Sequence, residues 1–185
     1  MMLTDYRRVF DGDFSWLDGL PDREKVPCLL AATERYKTSP VFNAVLLHYA
    51  EVDDLPRLQY PELSDPAERK KRFFDEFMPK RVSKSRQRLS DYRKVGSITI
   101  QYHKELMRAG VDIFHDDIFS NLLKLPDALK THAHKTEEVF RNVGLMKARV
   151  FSKYAEGALT EWHGPLSIFE EYLYEQERLK SLLSL

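Results

Sequence analysis

Apolar residues recur three and four positions apart along most of this chain, and that spacing commits it to helices. The competing pattern is the alternation Ile98-Thr99-Ile100-Gln101-Tyr102, which suits a half-buried strand but is short and has no segment of similar pattern to pair with. The reading is therefore all-α, an irregular helical bundle. With 185 residues, 43% of them hydrophobic and 31% charged, the chain has the length of one domain and the composition of a packed globular protein. We read residues 1–185 as a single helical domain.

Glycines and prolines set the expected limits of the helices. Asp11-Gly12 and Asp18-Gly19 leave room only for short pieces at Tyr6 to Phe10 and Phe14 to Leu17. A helix from about Pro27 to Tyr36 and a second from Pro40 to Ala50, with Ser39 as its cap, should form a hairpin. Residues 53–64, with Pro56 and Pro61, hold no sustained period and are a possible hinge. Asp65-Pro66-Ala67-Glu68 has capping-box spacing and starts a helix that should run to Met78 and break at Pro79. No proline follows until after Gly110, which predicts one long helix over about 80–109. A short helix over Asp116 to Lys124 precedes Pro126, and from Leu129 through Val139, Val143 and Phe151 to Tyr154 one apolar face runs up to Gly157. A C-terminal amphipathic helix from Pro165 sets Leu166, Phe169, Tyr172, Leu173, Leu179 and Leu183 opposite Glu170, Glu171, Glu175 and Glu177.

Charge is where the sequence is most uneven. The whole chain balances 29 Lys and Arg against 29 Asp and Glu, yet residues 66–95 hold eleven bases and four acids, a surplus of +7 that leaves −7 elsewhere. Such a dipole steers an anionic partner toward one end of the molecule, most strongly at low salt. The expected contact face is Arg69, Lys70, Arg72, Lys80, Arg81, Lys84, Arg88 and Lys94. On a helical wheel Val82, Leu89 and Tyr92 continue into Ile100 and Met107 as one narrow stripe, so these three are the expected anchors against another helix, of this chain or of a partner. Solvated bases answering the protein's own carboxylates are the plain alternative.

Reactive chemistry is not spelled out. Cys28 is the only cysteine, which rules out an intrachain disulfide and favours a reducing compartment. Its apolar neighbours Val26, Pro27, Leu29 and Leu30 should raise the thiol pKa rather than activate it. Glycines are scattered singly, unlike the clusters that cradle phosphates, and no serine stands between glycines as in a nucleophile elbow. His132 and His134 project about 200° apart on a helix and cannot grip one metal; His132 falls on the apolar stripe as a core residue. Asp116-Asp117 and Glu137-Glu138 are adjacent rather than one turn apart, so no dimetal helix pair is written.

Two family resemblances touch these residues. His134, followed by Gly144 and Leu145, resembles the active helix of histidine-phosphotransfer domains, which implies a four-helix bundle with a phosphoryl-accepting histidine. That family carries a lysine and a small residue three and four positions after its histidine; Glu137 and Glu138 stand there instead, and their charge opposes a phosphoryl group. Arg108 and His115 resemble the arginine-to-histidine spacing of a family of helical ribonucleases, with Gly110 intervening.

The sequence thus points to a non-enzymatic helical interaction or structural module, a subunit of a larger assembly or a homo-oligomer, whose basic helix docks an anionic partner surface. The alternative is a nucleic-acid-binding protein that contacts phosphates through 69–94. A helical enzyme or phosphotransfer domain ranks third. No cofactor, metal or membrane span is expected, because the longest apolar stretch, Pro40 to Ala50, falls far short of a bilayer. Without an apolar leader at the N-terminus, the expected location is intracellular, the cytoplasm first.

Overall fold

A computed structural model describes residue 9 and residues 15–52, 55–115 and 117–159. The expected helix from Pro165 and the pieces at Tyr6 to Phe10 and before Ser15 lie outside these residues. Among the described residues every regular element is helical, and no helix is long and apolar enough to cross a membrane.

The elements are α1 (Ser15–Asp18), α2 (Asp22–Arg35), α3 (Pro40–Val52), α4 (Leu55–Gln59), α5 (Pro66–Arg72), a π-helical turn (Phe73–Phe77), α6 (Met78–Val82), α7 (Arg86–Gln101), α8 (His103–Arg108), α9 (Ile118–Thr131), a 3₁₀ turn (Ala133–Lys135), α10 (Thr136–Leu145) and α11 (Ala148–Ala155). The segment Ile98 to Gln101 is helical, and a short helix, α4, occupies part of the expected hinge.

At the centre lies α3, with Val41, Phe42, Ala44, Val45, Leu46, Leu47, Tyr49 and Ala50 all buried. A helix this apolar belongs in a core. It is joined to α2 as the expected hairpin: Asn43 Nδ2 donates to the Tyr36 carbonyl at 3.0 Å, which closes the end of α2, and the Tyr36 and Phe42 rings meet at 4.6 Å. Across the other side runs α7, brought close by Gly96. A Cβ at that position would stand 2.1 Å from the Ala44 carbonyl oxygen and 2.6 Å from His48 Cβ, so only glycine permits the crossing. Nearby Thr99, fully buried, returns its hydroxyl to the Val95 carbonyl at 2.7 Å.

Three prolines expected to limit helices lie inside or across them. Pro27 sits within α2, which begins five residues earlier at Asp22, and Pro126 within α9. Interior proline costs about 3 kcal/mol, whereas each buried Leu or Phe contributes about 1.5–3 kcal/mol; Phe119, Leu122, Leu125 and Ala128 on one face of α9 outweigh the defect. Pro79 lacks the N–H that the Asp75 carbonyl would accept four residues back. The backbone passes this point through the π-helical turn, and the Asp75 carbonyl accepts from Arg86 Nε at 2.8 Å instead.

The expected helix over 80–109 is interrupted twice. Ser83 adopts left-handed backbone (φ 51°), and Ser85 then caps α7, its Oγ accepting from the Arg88 N–H at 3.2 Å. The second break is at Tyr102, whose φ of −111° ends α7 and starts α8. Beyond it the stripe loses register, and Met107 is left 51% exposed. Gly110, at φ 70°, ends α8 as expected.

The long amphipathic face toward Gly157 is carried by separate pieces, because side chains from neighbouring helices satisfy the broken backbone. Asn121, fully buried in α9, donates through Nδ2 to the Val143 and Met146 carbonyls at 2.9 and 2.7 Å and so closes α10. Thr131 donates to the Ala155 carbonyl at 2.8 Å, and His132 Nε2 meets the Tyr154 carbonyl at 2.7 Å, which closes α11. His132 also stacks on Tyr154 with ring centroids 4.0 Å apart. It is a bonded core histidine.

Candidate functional site: the basic surface and its cleft

The capping residue Asp65 directs the basic segment. Its side chain accepts from the Ala67 N–H at 3.0 Å and fixes the start of α5, but Glu68 turns forward to Arg72 (2.8 Å) rather than back to the cap. Arg69 donates its Nε to the Leu63 carbonyl. Both arginines are therefore engaged locally, in contacts that hold the entry to α5.

Along α6 and the start of α7 the bases lie over rings. The Arg81 guanidinium is 5.4 Å from the Phe77 centroid, Lys84 Nζ is 4.9 Å from that of Tyr92, and Arg88 lies 4.5 Å from Phe119 and 5.2 Å from Tyr92. Each such contact contributes about 0.5–1 kcal/mol at a solvated site and leaves the charge facing water. Lys80 is exposed beside Arg81, on the rim of a small hollow it shares with Tyr60, Glu76 and Phe77. Among the described residues, none of Lys80, Arg81, Lys84, Arg86, Arg88 and Lys94 forms an ion pair.

The seam expected to anchor another helix is covered by this chain. Leu89 is 1% and Tyr92 4% exposed, with Tyr92 against Phe119 of α9 at 4.6 Å, and Val82 is half-buried against the core. The helix that this stripe needed is the chain's own.

Two predicted residues, Lys70 and Lys94, meet five that sequence reasoning did not select. His48 and Glu51 of α3, Lys70 of α5, and Ser90, Arg93, Lys94 and Ser97 of α7 line an open cleft of about 510 Å³. Its centre is Glu51, gripped by Arg93 through both nitrogens (Nε at 2.8 Å from Oε2, the second on Oε1) and approached by Lys70 Nζ at 2.6 Å. The Arg93 hydrogen bonds, with Lys70 adding to them against the opposing effect of burial, hold the Glu51 carboxyl down at about 2. His48 is pushed below the ordinary imidazole value, first by burial and then by the positive charges of Arg93 and Lys70, with Glu51 acting the other way. Arg93 also lies 4.1 Å from the Phe74 centroid, which locks its fork in place. The signal for this cluster was present: His48 and Glu51, one turn apart, are polar residues on a largely apolar helix.

Elsewhere, His134 lies in the 3₁₀ turn before α10, exposed, and not on the helix that carries Gly144. Arg108 ends α8 beside a groove with Glu105, Thr136, Glu137, Phe140 and Arg141, whereas His115 lies in the following loop and accepts the Asp117 N–H at 3.3 Å. Among the described residues no three His, Cys, Asp or Glu side chains gather as metal ligands. Cys28 is half-buried, and burial raises its thiol pKa, which keeps it protonated and unreactive near neutral pH. Compared with models of protein families, with curated proteins and with solved structures, the chain matches none.

Proposed function

We propose that this chain is a non-enzymatic helical docking module, a subunit of a larger assembly or of a homo-oligomer, whose basic stretch receives an anionic protein surface. One observation carries the reading: from Lys80 to Lys94 the bases other than Arg93 form no ion pair with the described residues, although the chain as a whole has as many acids as bases. Arg81, Lys84 and Arg88 are held over rings, which lowers the entropy cost of presenting them to a partner. The same contacts disfavour a single-stranded nucleic acid, because Tyr92 and Phe119 are buried and covered by the chain's own bases and have no face left for a base to stack on. A reducing compartment accompanies this reading, given the lone thiol at Cys28.

The test is fluorescence anisotropy with a labelled polyglutamate peptide and, in parallel, a labelled random-sequence duplex DNA, each titrated across salt. Docking to a protein surface predicts saturable peptide binding that weakens with salt and is at least as tight as duplex binding. Duplex binding that is much the tighter, with a steep negative slope of log K against log salt, would transfer the surface to nucleic acid. Binding of neither at low salt would end the proposal.

A further inference from the structure

We propose that the cleft between α3, α5 and α7 binds a phosphate monoester, its dianionic head held by Lys70, Lys94, the hydroxyls of Ser90 and Ser97, and the Nε2 side of His48. The site goes beyond the docking surface and needs no macromolecular partner.

The argument begins with the count of charges and donors. Three cations, Lys70, Arg93 and Lys94, surround one carboxylate, Glu51, so the cleft retains positive charge after its internal pairing is complete. Arg93 is committed to Glu51 through both contacts, but Lys70 uses one of three ammonium N–H groups there, and Lys94 is exposed with no carboxylate within reach among the described residues. The Ser90 and Ser97 hydroxyls make no hydrogen bond to another described residue. Seven positions apart on α7, with Lys94 between them, they fall on the one face that the cleft exposes.

The geometry suits a tetrahedral oxyanion better than a planar one. Donors arrive from three helices rather than from a single edge, and a cleft of about 510 Å³ holds a phosphate with room for its ester group. His48 supplies an independent indication. Its Nδ1 is buried with no hydrogen-bond partner, and a buried orphaned N–H is the costlier error, so the neutral ring places its proton on Nε2, the nitrogen left to face the cleft. The groups around this ring are Glu51 on its own helix, Lys70 from α5, and Arg93 and Lys94 from α7. Burial, with the positive charges of Arg93 and Lys70, holds the imidazole below its ordinary pKa against the effect of Glu51, and an arriving dianion adds to the effect of Glu51. Binding is therefore coupled to proton uptake by His48.

The experiment is a titration of the full chain with sodium glycerol 3-phosphate at constant ionic strength, followed through the His48 ring resonances by NMR, with chloride as the control anion. The expected result is saturable binding with a Kd on the order of 1 mM or tighter, and a rise in the His48 pKa in the bound state. Lys94→Ala, at an exposed position, should weaken binding about tenfold or more without moving the melting temperature. Glu51→Gln, which removes the negative charge and frees Lys70, should tighten it. No saturation by about 20 mM, a range that covers any site of this kind, or unchanged binding in Lys94→Ala, would overturn the assignment. Binding of inorganic phosphate without glycerol 3-phosphate would overturn the monoester class. Failure of polyglutamate to bind leaves this result untouched, and Lys80→Glu, outside the cleft, should alter docking and not the titration.

Discussion

The two flanks of this bundle are fastened by different chemistry. Where α3, α5 and α7 meet, the fastening is charged: Glu51 holds Arg93 and Lys70, and Arg93 lies on Phe74. Where α9, α10 and α11 meet the buried fastening is by hydrogen bonds, Asn121, Thr131 and His132 reaching across to the open carbonyls of the neighbouring helices, while the ion pair there, Lys124 to Glu156 at 4.0 Å, lies at the surface. Solvent access separates the two. Glu51 keeps 22% of its side chain exposed, so ionised groups retain part of their hydration; Asn121 keeps none, and there an ion would lose several kcal/mol of solvation that few partners restore. The charged flank is thus expected to respond to pH and salt through Glu51, and the Asn121 contacts of the other flank should be indifferent to them.

The comparison can be broken first at the crossing on which the charged flank depends. Gly96→Ala forces a Cβ into the Ala44 carbonyl, and since backbone cannot step aside as a side chain can, a loss of about 3 kcal/mol is expected in urea unfolding. On the hydrogen-bonded flank, Asn121→Ala leaves the Val143 and Met146 carbonyls buried and unanswered. It should cost about 2–3 kcal/mol, equally at low and high salt, with hydrogen exchange fastest at the end of α10.

A sharper contrast comes from acid. Glu51 has a depressed carboxyl, so its stabilising contribution is complete above the unfolded value of 4.5 and disappears as pH falls toward about 2. Allowing for its partial exposure, the contribution is on the order of 2 kcal/mol. Glu51→Gln should remove that much at pH 7 and flatten the wild-type decline between those limits, as read from stability measured across pH. His48 acts earlier in the same direction: its folded pKa lies below the unfolded value of 6.5, so the unfolded chain binds more protons and stability falls as pH drops through that region. The smallest effect is expected at Arg88→Ala, about 1 kcal/mol, from the lost contact over Phe119.

How much of this was legible in the sequence follows from how local each signal is. The caps and stops at Asp65, Gly110 and Gly157 are readable because a short side chain or a positive φ acts within a turn. The break before α7 was readable too, in Ser85, but the absence of proline from Lys80 onward suggested continuity. Pro27, Pro79 and Pro126 misled for a tertiary reason: packing, and in one case Arg86, compensate for the lost backbone bond. The division of the face after Leu129 could not be seen, because the side chains that close those helix ends come from other helices, 22 to 25 residues away for Asn121. The cleft was hidden by a longer separation still, with 42 positions between Glu51 and Arg93. Two of its bases were selected for charge alone, and their carboxylate and hydroxyl companions were not.

The central claim is that the bases left unpaired on α6 and α7 form a docking surface. Its most direct test compares wild type with the triple reversal Lys80→Glu, Lys84→Glu and Arg88→Glu for affinity to polyglutamate at low salt, alongside the melting temperature of each. The account predicts a loss of about a hundredfold or more, with the fold intact and melting lowered only by the few degrees that the lost ring contacts allow. A folded triple variant that binds within about threefold of wild type, less than a single charge contact is worth, would contradict it.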